Sequence, residues 1–325
     1  SSCHSVHNAA SRPRLLNDRG SELCIKCHDG IGGLDMLPTL NQRSGHRFRR
    51  LRDVHEPNEN PLLMRPHVEC VDCHNPHAVM PNFTANPLLG GGLQGPLVPP
   101  AMSHVPGVRL SGAPNDKAVY YFEVCFRCHA DNPVPTRRIF RQQDNSGNIR
   151  RQFLPTAASS HPVARPHTFS NENPSLLPQA NLKPFMSCQD CHNSPNAREL
   201  GGFGANGPHG SSFESLLVNR YDTADFTMES PQSYALCYQC HDRNSILADQ
   251  SFRLHNRHVV QGRTPCSSCH APHGVSGSSV NHGHLINFDV SIVGGQRQYV
   301  DTGLFQGSCT LTCHGVAHVN FTYGP

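Results

Sequence analysis

The chain has 325 residues, of which 36% are hydrophobic and 7% aromatic, with no tryptophan and a formal charge of +3. So few apolar residues exclude a conventional large hydrophobic core, and the lack of an 18-residue apolar run excludes a transmembrane helix within these residues. In their place stand 15 cysteines, 23 histidines, 27 glycines and 27 prolines, a composition that predicts much irregular chain, few strands and short helices.

The first stretch, residues 1–20, opens SSCHSVHN, with Cys3 followed at once by His4. Residues 21–80 hold CIKCH at 24–28 and CVDCH at 70–74. Residues 81–118 carry no motif, are rich in glycine, proline and leucine, and read as an irregular linker. Residues 119–218 hold CFRCH at 125–129 and CQDCH at 188–192; residues 233–276 hold CYQCH at 237–241 and CSSCH at 266–270. The last segment, 277–325, holds CTLTCH at 309–314, with one extra residue between its cysteines. The stretches DKAVYYFEVCFRCH and QSYALCYQCH predict short helices that present the cysteines and the histidine together.

C-x-x-C-H is the attachment signature of c-type haem. Two thiols add to the two vinyl groups of one haem, and the adjacent histidine swings under the iron as an axial ligand. Paired C-x-x-C also serves zinc sites and redox dithiols, but neither requires histidine directly after the second cysteine. The expected thioether anchors are Cys3, Cys24, Cys27, Cys70, Cys73, Cys125, Cys128, Cys188, Cys191, Cys237, Cys240, Cys266, Cys269, Cys309 and Cys313. The expected proximal ligands are His4, His28, His74, His129, His192, His241, His270 and His314. Eight covalently bound c-type haems follow. At about 41 residues per haem, each share of chain is near the size that cannot build its own core, so the haems themselves are expected to supply it. Residues 1–7 align with CSSCHAPH at 266–273, which predicts that one further cysteine precedes Ser1, the alternative being a single-thioether site held by Cys3 alone, and that His7 is the distal ligand opposite His4.

The motifs form a repeat. A first half reads as SELCIKCHDG, FEVCFRCHAD or YALCYQCHDR; a second half ends in another histidine, as in CVDCHNPH and CSSCHAPHG. Between the halves stands a third histidine, in SGHRF, SSHPV and HNRHVV. In the middle module a glycine-rich insertion, GGFGANG, moves that terminal histidine down to His209. The repeat nominates His7, His77, His209 and His273 from second halves and His46, His161 and His258 from module centres as distal ligands. His318 completes the set, with His284 as its alternative; His55, His67, His104, His167, His255 and His282 remain open. No methionine sits at a repeated offset, so bis-histidine ligation and low potentials are expected.

The basic residues are 24 arginines and 3 lysines. The clusters Arg43, Arg47, Arg49, Arg50, Arg52 and Arg137, Arg138, Arg141, Arg150, Arg151 suit haem propionates or a solvated surface better than nucleic acid, because aromatic residues are sparse among them. With two propionates on each haem the net charge falls to about −5 oxidised and about −13 reduced.

The paired C-x-x-C-H motifs, closed by C-x-x-C-H-x-P-H, resemble the doubled CXXCH family of multihaem c-type cytochromes. That resemblance implies a mostly irregular, loop-rich fold with short α-helices and the haems as core. It also implies an electron carrier or conduit whose partners are redox proteins or extracellular acceptors. The chain is similar in style to extracellular cytochrome filament (nanowire) subunits of metal-reducing microbes, which implies polymerisation and a site of action outside the cytoplasm, with cell exterior favoured over periplasm. Two other readings stay open: an octahaem oxidoreductase acting on nitrogen or sulfur oxyanions, and a conduit lodged in an outer-membrane porin. The C-x-x-C-K motif used by several such enzymes is absent.

Overall fold

The computed structural model describes residues 3–7, 13–18, 20–46, 48, 59–64, 67–78, 94–131, 139–167, 173–276 and 279–324. His55, the arginines at 47, 49, 50, 52, 137 and 138, and residues 81–93 of the expected linker lie outside them. As expected, the fold is loop-rich, with short helices placed at the motifs.

Five of the six C-x-x-C-H motifs begin on or within an α-helical turn: Gly20–Ile25, Cys70–Cys73, Tyr121–His129, Cys188–Cys191 and Ala235–Tyr238. The sixth starts on the 3-10 turn Cys266–Ser268. One turn suits the chemistry, because residues three apart share a helix face and both thiols then point one way. Carboxylates inside or beside the motifs fix these turns. Asp72 accepts the Glu69 amide at 2.6 Å and Asp190 accepts the Ser187 amide at 2.8 Å. Glu123 accepts the Val119 amide at 2.6 Å. Each satisfies an amide donor at or just before the helix start.

Two-residue ladders join distant parts of the chain. Ser44–Gly45 pairs antiparallel with Gly210–Ser211, and Ser159–Ser160 with Gly274–Val275. Each ladder brings a module-centre histidine, His46 or His161, beside the tail histidine of the following module, His209 or His273. Gly45 and Gly210 are needed for this approach, since a Cβ on Gly210 would meet the Thr39 carbonyl oxygen at 1.9 Å.

Apolar packing is confined to small clusters. One gathers Val108, Phe122, Phe126 and Phe153, and a second gathers Met102, Val105, Tyr121 and Val124, on two sides of the Tyr121–His129 helix. Residues 94–118 contribute to both, so the described part of the expected linker packs as core. Cys73, Cys125 and Cys188 border these clusters.

The C-terminal segment departs from the loop-rich pattern. Val293–Gly303, Gln306–Cys313 and Val316–Tyr323 form a three-stranded antiparallel sheet in chain order. Its inner face holds Val293, Tyr299 and Leu311 against Phe288. The alternation of TLTCH-like polar and apolar residues was obscured in the sequence by the cysteine motif that overlies it.

Candidate haem-binding sites

The thiols meet in chain order. Cys24 and Cys70 are in hydrogen-bond contact, which raises the first thiol and lowers the second to about 7. The same contact joins Cys125 to Cys188 and Cys237 to Cys266. In every case the first cysteine of a module's first motif touches the first cysteine of its second motif. Between modules, burial pushes Cys73 up to about 12, with Asp72 and Cys128 adding to it. Burial likewise pushes Cys191 and Cys269 up to about 12; Cys240 is the next cause for Cys191, and Cys309 and Cys313 for Cys269. Among the described residues no cysteine is joined to another by a disulfide.

The histidines stand in facing pairs. His4 faces His77 with ring centres 6.2 Å apart and planes within 10°. His74 faces His209 at 5.8 Å and 8°, and His192 faces His273 at 5.9 Å and 25°. His129 faces His46 at 6.2 Å, tilted by 50°. A metal–imidazole bond is about 2.0 Å long, so two imidazoles on opposite sides of one iron hold their ring centres about 6 Å apart. The observed spacing therefore fits a bis-histidine haem at each pair, with two thiols of the motif beside it (one, Cys3, at His4).

The second ring nitrogens fit as well. His46 Nδ1 donates to the Pro208 carbonyl at 2.8 Å, His4 Nδ1 to Arg14 at 2.9 Å and His192 Nδ1 to Ser215 at 3.0 Å. His270 Nδ1 donates to His284 at 2.9 Å, and His161 Nδ1 donates to Pro272. A proton held on Nδ1 leaves the Nε2 lone pair free for a metal and fixes the ring's direction. Burial holds His129, His209, His241 and His270 down at about 4 and His273 at about 3, so each is neutral, the form a ligand needs.

These pairs cross module boundaries. Tail histidines face the second motif of the preceding module: His77 faces His4, His209 faces His74 and His273 faces His192. The centre histidine His46 faces the first motif of the following module, at His129. His161, the centre histidine of the next module, acts on His241, whose lowering owes most to burial and next to His161, but the two rings do not stand at the paired spacing. The expected pairing of His4 with His7 is not what the structure brings together: His7 is exposed, and His77 takes the place opposite His4. Residue 7 follows the motif too closely for its ring to reach round to the far side, whereas residue 77 arrives on separate chain.

His318 is not opposite His314 either. It faces His258 at 6.1 Å and 33°. His314 Nε2 instead donates to Asp225 Oδ1 at 2.8 Å, and its ring stacks on Phe226 at 4.4 Å. His284 Nε2 is engaged by Asp301 at 3.1 Å. Among the described residues no second imidazole ring stands at the paired spacing from His28, His241, His270 or His314. Two residues left open by the sequence gain weight: His255, held down at about 3 by burial and by His270, His258 and His241, and buried His282, whose Nδ1 donates to Ile286 at 3.0 Å.

The described arginines of the two clusters sit on protein groups. Arg43 pairs with Glu214 at 2.7 Å and Arg150 with Asp131 at 2.7 Å, while Arg141 donates to the carbonyls of Ser267 and Asn287.

A chain whose turns repeatedly present two thiols and an imidazole, four of these imidazoles facing a second one, has the donor set of a multihaem c-type cytochrome. In agreement, the family model described as doubled CXXCH motif matches residues 1–33 and 183–245. Searches of curated proteins and of solved structures returned no match. No helix among the described residues is long and apolar enough to cross a membrane.

Proposed function

We propose that this chain is an octahaem c-type cytochrome that carries electrons by hopping along its haems, outside the cytoplasm. The observation that carries the reading is the set of four motif histidines, His4, His74, His129 and His192, each facing a second histidine at 5.8–6.2 Å. An iron held by both imidazoles of such a pair would have no open position for substrate, which at these four sites favours electron transfer over oxyanion reduction. The haems supply one-electron exchange when bound.

The residues do the rest. Cysteine pairs on one-turn helices anchor each haem, and the carbonyl partners of Nδ1 aim the axial rings. Partial burial holds His46, His161, His192 and His270 below the usual imidazole range, which favours their neutral form. Ligands exchanged between modules tie successive haems together, so that oxidation or reduction meets a rigid surround. The thiol contacts run in sequence order, from Cys24–Cys70 through Cys125–Cys188 and Cys237–Cys266 to Cys269 beside Cys309 and Cys313. This supports haems arranged in one row in the order of their motifs, with the haems as the main core.

Assembly into a filament outside the cell belongs to the same proposal. Its support is exposed His7, an imidazole that faces no motif histidine among the described residues, and the exposed strand Val316–Tyr323, where Val319 is 81% exposed. The test is intact mass with pyridine haemochrome and low-temperature EPR, followed by film voltammetry. Several covalent haems, all low-spin, with reversible low-potential waves and no turnover of nitrite, hydroxylamine or tetrathionate are expected. A mass equal to the bare polypeptide refutes the reading. Micrographs of concentrated protein showing monomers alone refute the filament form.

A further inference from the structure

The C-terminal motif is built unlike the others. Cys309 and Cys313 lie on the strand Gln306–Cys313, four residues apart, where the other motifs use one helical turn. On a strand alternate side chains share a face, so Cys309, Leu311 and Cys313 point one way. His314 lies in the turn beyond the strand, with φ 49°, its Nε2 on Asp225 and its ring on Phe226, so no helical turn carries its ring back under the two cysteines. The nitrogen that the motif assigns to iron is already engaged.

Two other histidines stand on the side of the sheet that carries the two cysteines. His318 is the direct cross-strand partner of Leu311, and Phe321 is that of Cys309, so both share the face of the two cysteines. His258 lies opposite, 6.1 Å away, on the π-helical turn Asn256–Gln261. Its Nδ1 donates to the Leu254 carbonyl at 2.7 Å, leaving Nε2 for a metal. Cys313 is held at the same side, for its thiol bonds to Thr264, whose amide donates to the His258 carbonyl at 2.9 Å. Phe252 and Phe321 close the slot edge-on or tilted, each 5.7 Å from one of the two imidazoles.

We infer that the iron of the haem attached at Cys309 and Cys313 takes His258 and His318 as its axial ligands, with His314 held away from it by Asp225. This assignment rests on the haem reading above and departs from it at one site, where no axial ligand adjoins a cysteine. The sequence logic fails there for a geometric reason: the rule that the histidine follows the second cysteine depends on a helical turn, and this motif is extended.

The test uses the complete haem-loaded protein. Peptide mapping first locates the haem at 309–313, and EPR spin counting then follows His258→Ala, His318→Ala and His314→Ala. His258→Ala and His318→Ala are each expected to keep the native haem count and convert one haem per chain to high spin. His314→Ala is expected to stay wholly low-spin. His318→Met, which preserves bulk and offers a thioether ligand, is expected to remain low-spin with one haem shifted to higher potential. Retention of a wholly low-spin spectrum by His318→Ala, or one high-spin haem in His314→Ala, overturns the assignment. So does a haem missing from 309–313 in the native protein, while haem at the other motifs leaves the electron-carrier reading standing. Absence of covalent haem everywhere defeats both.

Discussion

Replacing His273 by alanine separates ligation across modules from ligation within one. By sequence His273 belongs to CSSCHAPH at 266–273, three residues after His270. In space it faces His192, 5.9 Å away, and makes an edge contact with Phe153 at 6.1 Å. His273→Ala should therefore leave the haem of Cys188 and Cys191 with His192 alone. On the proposed count of eight haems, the high-spin share would be about one-eighth of the total spin count. The lost aromatic contact costs about 0.5–1.5 kcal/mol beyond the buried area, so the fold should survive and the spectrum be readable. Phe153→Leu is the control, since it loses the contact and keeps the ligand. To locate the altered haem, the substitution is combined with Cys188→Ala and Cys191→Ala, which remove the haem thought to be affected. The high-spin signal should vanish in the combined variant. Its persistence would place the vacancy at another motif and refute the exchange of ligands between modules, as would a wholly low-spin His273→Ala protein.

Gly210→Ala should cost about 1–3 kcal/mol, because the added methyl meets the Thr39 carbonyl oxygen at 1.9 Å and the backbone must yield; thermal unfolding read at the Soret band checks this. The same variant should loosen both His46 and His209, which flank that ladder, and raise the high-spin fraction. Arg243 holds the Glu229 carboxylate below its usual range through contacts of 2.6 and 2.8 Å. A carboxylate lowered in the folded state stabilises above its unfolded pKa of about 4.3, and the contribution fades as pH falls through the folded value. Glu229→Gln should thus be less stable than the native protein at pH 7, and the gap should close under acid below about pH 4, as measured by urea unfolding at each pH.

How much of this was legible in the sequence depends on distance along the chain. Attachment chemistry is local: a thiol pair and the histidine after it fall within five residues, and one helical turn suffices to arrange them. The short helix at Tyr121–His129 was likewise readable, because Glu123 and the apolar residues around it mark its start and buried face. The histidines that would close each iron were nominated by the repeat, but their partners were not. The facing pairs are 60 to 135 positions apart, and the two-residue ladders that align them, such as Gly45 with Gly210, leave almost no pattern in the sequence. CTLTCH marks the boundary between the two kinds of knowledge. Its residues announced the same chemistry as the other motifs, yet hydrogen bonding to neighbouring strands drew the cysteines into an extended sheet and left His314 in the turn beyond it, bonded to Asp225. The sequence alone determined which side chains can hold haem; tertiary packing decided which imidazoles meet, because that choice lies in long-range backbone pairing rather than in spacing.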